Sequence, residues 1–296
     1  MIHYHNVFLK GSLLGGMNMS RQYGKTIVVH DDTLIGKFLT DGYENCTFIF
    51  QNCTFLNFEF YSRRNSIEFS SGNRFCEKVT LDAAKVVMKE FVGTENLESL
   101  SINGGYFRMP EGMNMRASGD ISIISDIQSF SKNRIESLSA LTLQSSTGTT
   151  VYRNCSFIGK YGVKILALKG NLRIEHSEIE VTDSRVKTFE EDHLNGIYLS
   201  CYGIGTRMHL LGNVIKTDVL EVTHPNYMVV TNTELSKAGE YGRFLSRNQE
   251  RNGQIISHSY IEEQTLLDQF YSKIESEKEN KSKILELIGI AFKKSA

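Results

Sequence analysis

The chain has 296 residues, 40% of them hydrophobic, enough to bury one or two substantial cores. Its 33 basic and 34 acidic residues leave a net charge of −1, which gives nucleic-acid binding no support. No apolar run approaches the roughly 18 residues of a membrane helix, and five cysteines without a Cys-x-x-Cys pair suit neither a disulfide framework nor a zinc site.

In chain order, residues 1–25 are irregular and rich in Gly and Met, and are expected to cap the N-terminal end of the fold. The opening Met1-Ile2-His3-Tyr4-His5 lacks the basic and apolar regions of a secretory signal. Gly24-Lys25-Thr26 is not a phosphate-binding loop, because Met19 stands where the motif needs Gly and a β-type segment follows.

From residue 26 an eight-residue phrase recurs: apolar, any, apolar, four small or polar residues, apolar. It reads Ile27-Val28-Val29 to Leu34, Phe48-Ile49-Phe50 to Phe55, Val79-Thr80-Leu81 to Val86, and Leu100-Ser101-Ile102 to Phe107. It returns as Leu172-Arg173-Ile174 to Ile179, Met208-His209-Leu210 to Ile215, and Met228-Val229-Val230 to Leu235. Alternation predicts a strand with one buried face, the polar four a tight corner, and the last apolar residue a second strand on the same core. Asp31, Asn52, Asn154, His176 and Asn232 share one corner slot, where Asn and Asp tolerate left-handed backbone. Chained at intervals of roughly 20 residues, the phrase predicts a mainly β protein: a parallel β-helix of about ten coils over residues 26–240. At about 4.8 Å per coil the rod measures roughly 45–50 Å.

Cys46, Cys53 and Cys155 each lie two residues before a core-facing Phe, so they are expected to face inward as small apolar residues. Reduced cysteines favour a cytoplasmic setting, with viral or processed secreted origin as alternatives. Two stretches exceed the coil length, one around 108–118 and one from Thr182 to His193. Such insertions become loops on one face, where binding often resides.

Residues 241–296 form the third segment. From Ser259 the period turns helical, with a capping box of Ser259 and Glu262 and an apolar face of Leu267, Phe270, Tyr271 and Ile274. A second amphipathic run, Ile284 to Phe292, follows. This short α-helical segment is expected to pack on the last coil, or to mediate self-association or docking of a protein partner through 259–296.

Three groups of residues carry candidate chemistry. Asp31 and Asp32, beside His30, could bind a cation or act as acid and base, but the repeated turn slot of Asp31 and a strand-ending role for Asp32 are the preferred explanation. The register of the repeat stacks Arg153 above Glu175 and sets Arg173 beside His209. His176 and Glu178 follow closely, and Glu190, Glu191, Asp192 and His193 lie in the second insertion. Arg173, Glu175, His176 and His209 are the catalytic candidates: Arg could stabilise an acidic sugar, and a carboxylate or His could move a proton. Arg153, Glu178 and the 190–193 group are binding candidates. The alternative is a solvated strand face neutralised by cross-strand pairs.

Asn154-Cys155-Ser156-Phe157, Gly196-Ile197-Tyr198-Leu199 and Gly212-Asn213-Val214-Ile215 resemble coils of the right-handed parallel β-helix superfamily typified by pectate lyases and phage tailspikes. The resemblance covers about residues 26–240 and implies three parallel sheets, with polysaccharide as a frequent ligand. No catalytic motif of pectate lyases, polygalacturonases or pectin methylesterases is present, and no cofactor is indicated. The absence of Trp weakens a sugar-stacking platform, although 13 Tyr and 17 Phe leave that route open. Three roles stand: a noncatalytic scaffold presenting its flank and helical tail to a protein partner, a carbohydrate-active enzyme on an acidic polysaccharide, and a phage or surface adhesin.

Overall fold

The structure, a computed structural model, describes residues 2–5, 21–183, 196–203, 205–217, 220–223, 227–236 and 254–261. Strands dominate them, and every strand pair is parallel across a twelve-stranded sheet, an eleven-stranded sheet and a short two-stranded one. Parallel pairs joined without helices require the chain to wind around its own core. The fold is therefore a parallel β-solenoid.

Three inward-facing columns run along it. One passes without a break through Phe38, Phe60, Leu81, Ile102, Ile123, Leu143, Ile165, Leu199 and Val222, which makes about eight turns. The expectation of about ten assumed a uniform coil. The turn containing the Thr182–His193 stretch takes 36 residues between paired corner positions.

A second column, on the first face, stacks Ile27, Phe48, Ile67, Val86 and Phe107. After a break the same face resumes with Phe130, Tyr152, Ile174 and Leu210. The rings of Phe107 and Phe130 span the break edge-on, with centroids 5.8 Å apart. The third column, on the second face, stacks Leu34, Phe55 and Phe75, breaks, and resumes as Met115, Ile135, Phe157, Ile179 and Ile215. The breaks fall between Phe107 and Phe130 and between Phe75 and Met115, but the stretch around 108–118 is not longer than its neighbours, contrary to the expectation: Ile102 pairs with Ile123 at the same spacing at which Leu81 pairs with Ile102.

Five copies of the repeated phrase turn the corner from the first face to the second. The copies at Val79 and Leu100 turn a different one: Leu81 and Ile102 lie in the unbroken column, and Val86 and Phe107 on the first face. At the first corner the chain is left-handed at Asp31 (φ 56°), Asn52 (52°), Lys132 (55°), Asn154 (52°) and His176 (48°), which explains the Asn and Asp preference of that slot.

The next corner residue points inward and forms its own buried column, including Cys53, Asn73, Asn133, Cys155, Ser177 and Asn213. These side chains satisfy backbone groups that the bend takes out of the ladder. Cys155 N–H donates to Ser177 Oγ at 3.0 Å, and Ser177 N–H to Asn213 Oδ1 at 3.0 Å. Cys46, Cys53 and Cys155 are buried free thiols, as the alternation predicts, and burial pushes the Cys53 thiol up to about 11. Near the first coils the core is aromatic. Phe55 meets Phe50, Phe58, Phe69 and Phe75 with centroids between 4.8 and 5.5 Å, mostly edge-to-face.

The ladder reaches into both expected end segments. Ile2–His5 pairs with Ile27–His30, inside the stretch expected as a cap. Gln254–Ile261 pairs with Tyr227–Ser236, beyond residue 240. Ser259 therefore lies opposite Thr233 in a strand and caps no helix: completing the exposed edge outweighs the local capping pattern. The helical expectation for 262–296 lies outside the described residues. Among the described residues no helix is long and apolar enough to cross a membrane.

Candidate functional site

The flank picked out by the repeat lies on the first face, on strands Gly148–Arg153, Gly170–Glu175 and Arg207–Leu211. Thr150, Tyr152, Leu172, Ile174, Met208 and Leu210 point into the core. Alternation then sends Arg153, Arg173, Glu175 and His209 outward. The pairing sets Arg153 opposite Glu175 and Arg173 opposite His209. The offset is preserved because parallel strands in a solenoid stay in register from coil to coil.

Glu175 is the centre of this cluster. Arg153 Nε donates to its Oε2 at 2.6 Å, and Arg173 Nε donates to its Oε1. The Glu175 side chain is 9% exposed, against 54% for Arg153 and 47% for Arg173. Burial works against its ionisation, but the two guanidinium hydrogen bonds and their charges outweigh it and hold the carboxyl below the ordinary glutamate value. His209 is pushed below the ordinary histidine value, first by partial burial and then by Arg173 and Arg207, with Glu175 pulling weakly the other way. Near neutral pH the flank therefore sets three guanidinium groups against one ionised carboxylate and a neutral imidazole. That excess suits an anionic partner.

The other candidates separate from this cluster. His176 turns the corner, donates its N–H to Leu211 O at 2.8 Å, and lays its ring against Gly212, where a Cβ would stand 2.5 Å from Nδ1. Glu178 lies around that corner on the second face, where Lys216 Nζ reaches its Oε1 at 2.6 Å. Glu190, Glu191, Asp192 and His193 lie outside the described residues. Asp31 accepts from Asn52 Nδ2 at 2.6 Å and lies 3.1 Å from His30 Nδ1, while Asp32 Oδ1 accepts the Thr33 N–H at 2.8 Å. Both acids thus serve the corner. Among the described residues no group of three or more His, Cys, Asp or Glu is placed to hold a metal.

A second charge cluster was not singled out by the sequence reading. Arg134-Ile135-Glu136 repeats Arg173-Ile174-Glu175, and an arginine again stands one coil earlier: Arg116 pairs with Glu136 as Arg153 pairs with Glu175. Arg116 Nε lies 3.3 Å from Glu136 Oε1, and Arg134 Nη2 donates to Oε2 at 2.9 Å. The repeated Arg-Ile-Glu tripeptide was the available signal. No family model matches the chain, and comparisons with curated proteins and with solved structures give no match.

Proposed function

We propose that the protein is a noncatalytic β-solenoid whose first-face flank is a recognition surface for a protein partner that presents carboxylates. The observation that carries this reading is the state of Glu175. A carboxylate accepting two guanidinium hydrogen bonds, with its pKa lowered, is a weak base and holds no proton to give. His209, moved below the ordinary histidine value, drifts away from the range in which a general acid or base works best at neutral pH. Arg153 and Arg173 nevertheless remain about half exposed, so their remaining N–H donors face outward.

The same excess of guanidinium charge would suit an acidic polysaccharide, and one experiment separates the readings. Wild-type protein is incubated with polygalacturonate, alginate and hyaluronate, and new chain ends are counted. No cleavage is expected. Cleavage that disappears in His209→Ala or Glu175→Gln would replace the recognition reading with an enzymatic one. Cross-linking in the source cells, followed by reconstitution with the purified partner, should show Arg173→Glu weakening the complex. Unchanged affinity in that variant would remove the flank from the interface.

A further inference from the structure

The first face is interrupted just before the flank. Residues 106–108 pair back to 85–87, and Ser129–Ser131 pairs onward to 151–153, but among the described residues no ladder joins the two. The interruption falls where the bend leading onto this face lengthens, from five residues between Ile102 and Phe107 to seven between Ile123 and Phe130. A cleft of about 270 Å³ lies in it. That is just below the roughly 300 Å³ at which small-molecule sites begin, and leaves room for one side chain.

The lining of the cleft includes the buried Phe107 and Met109, with Tyr106 (42% exposed) and Ile127 (47% exposed) at its margins. Two exposed apolar side chains over a buried apolar floor make a seat for an apolar group. The Phe107–Phe130 ring contact carries the register across the gap, so the cleft stands in line with the flank. Arg108 heads the outward column of Ser131, Arg153 and Glu175, and Tyr106 heads that of Ser129, Val151, Arg173 and His209. The acids of this tract are outnumbered even with its bends included. Glu111 is bridged by Lys132 at 2.6 Å, and Glu175 by Arg153 and Arg173. Asp126, on the bend, has Oδ2 3.5 Å from where a Cβ on Gly105 would stand, while Lys85 lies 5.3 Å from the Tyr106 ring centroid. Lys85, Arg108, Lys132, Arg153 and Arg173 thus stand against Glu111, Asp126 and Glu175, and the face keeps an excess of positive charge beside the apolar seat.

We propose that the first face reads an extended segment of the partner laid along the solenoid axis, with one apolar side chain seated between Tyr106 and Ile127 and carboxylates two and four residues away on Arg153 and Arg173. The inference rests on the flank being the recognition surface and names the form its partner takes. With coils about 4.8 Å apart, Arg153 stands roughly 7 Å and Arg173 roughly 12 Å from the middle of the cleft. Same-side residues of an extended chain recur every ~6.6 Å, so the second and fourth neighbours of the seated residue reach the two arginines.

The probe is the peptide acetyl-Glu-Ser-Glu-Ser-Phe-Ser-Glu-Ser-Glu-amide, acidic on both sides of its Phe so that either chain direction fits. It is titrated into the full chain and followed by NMR amide shifts, beside one counterpart with Gln for every Glu and another with Ser for Phe. The parent peptide should bind saturably, shift amides of 106–111, 127–131 and 151–153, and bind about tenfold more tightly than either counterpart. Tyr106→Ala, which removes an exposed ring, should cost the parent about tenfold and leave the Ser counterpart unchanged. Arg173→Gln should weaken both acidic peptides and leave the Gln counterpart unchanged. Equal affinity of the Phe and Ser peptides, with both weakened by Arg173→Gln, would overturn the inference and leave the flank reading standing. No saturable binding, or equal affinity of the Glu and Gln peptides, would also overturn it, and the flank reading is then decided separately by Arg173→Glu in the reconstituted complex. Tighter binding of tetragalacturonate than of the parent peptide would overturn it in favour of an acidic polysaccharide. The peptide comparison on wild type decides the matter even if the Tyr106 variant fails to fold.

Discussion

Asn73→Ala tests whether the buried corner column holds the coils together. Asn73 is 2% exposed and closes three hydrogen bonds: Cys53 N–H to its Oδ1 at 3.1 Å, and its Nδ2 to Phe50 O at 2.9 Å and Ser70 O at 2.8 Å. Alanine removes all three. Phe50 O keeps the Ser70 N–H at 2.9 Å, so the loss concentrates on the Cys53 N–H, which is left buried and unpaired. One such group costs about 1–3 kcal/mol, and the small void adds to it, for a total of about 2–3 kcal/mol. The molecule contains its own rescue, since Ser177 fills the equivalent slot and accepts from Cys155 N–H. Asn73→Ser should therefore recover about 1 kcal/mol of the loss. Because stacked coils need not unfold all at once, the assay is native-state hydrogen exchange at the Cys53 amide. A 2 kcal/mol loss predicts exchange roughly 30-fold faster in Asn73→Ala. Unchanged exchange there, or equal rates in the alanine and serine variants, would refute the role given to the column.

Glu175→Gln keeps the shape but removes the charge shared by two half-exposed arginines. With solvent screening it should cost about 1 kcal/mol at low salt, and less at high salt, in thermal melts. Because folding lowers the Glu175 pKa, the stabilisation is present above the unfolded-state value and is lost as pH falls through the folded-state value. The Gln variant should accordingly lose less stability than wild type along the acid limb, and parallel acid limbs would contradict that sign. Gly170→Ala places a Cβ 1.7 Å from the carbonyl oxygen of Gly148 in the neighbouring coil and should cost at least about 3 kcal/mol or prevent folding. Gly42→Ala meets open space and bears only the strain of φ 85°, about 1–2 kcal/mol. Denaturant midpoints that fall equally in the two would refute the close-approach argument.

The fold was largely legible because a parallel solenoid repeats both its inward alternation and its corner chemistry. Asn52, Asn154 and Asp31 announced a left-handed corner, and fixed offsets carried the Arg153–Glu175 and Arg173–His209 pairings. What the phrase could not carry was which corner it turns. The copies at Val79 and Leu100 meet the same apolar pattern at a different edge, because each edge needs two buried strands around a polar bend. The register slip on the second face was less visible still. Arg74 pairs with Gly93 but Cys76 with Asn96, one extra residue that no periodicity marks, whereas the excess expected around 108–118 is absent, since Ile102 pairs with Ile123 at the usual spacing. Ser259 failed for the opposite reason: a strong local capping pattern yielded to an exposed sheet edge.

The ionisation of Glu175 decides most directly between recognition surface and catalytic site. Side-chain carboxyl chemical shifts, followed by NMR across the acid range in selectively labelled protein, report it without a ligand. A Glu175 midpoint below that of an ordinary glutamate, shifting upward in Arg173→Gln, is the expected result. A midpoint raised to about 6–7, the range of a working general acid, would contradict a carboxylate locked between two arginines and return the flank to catalysis.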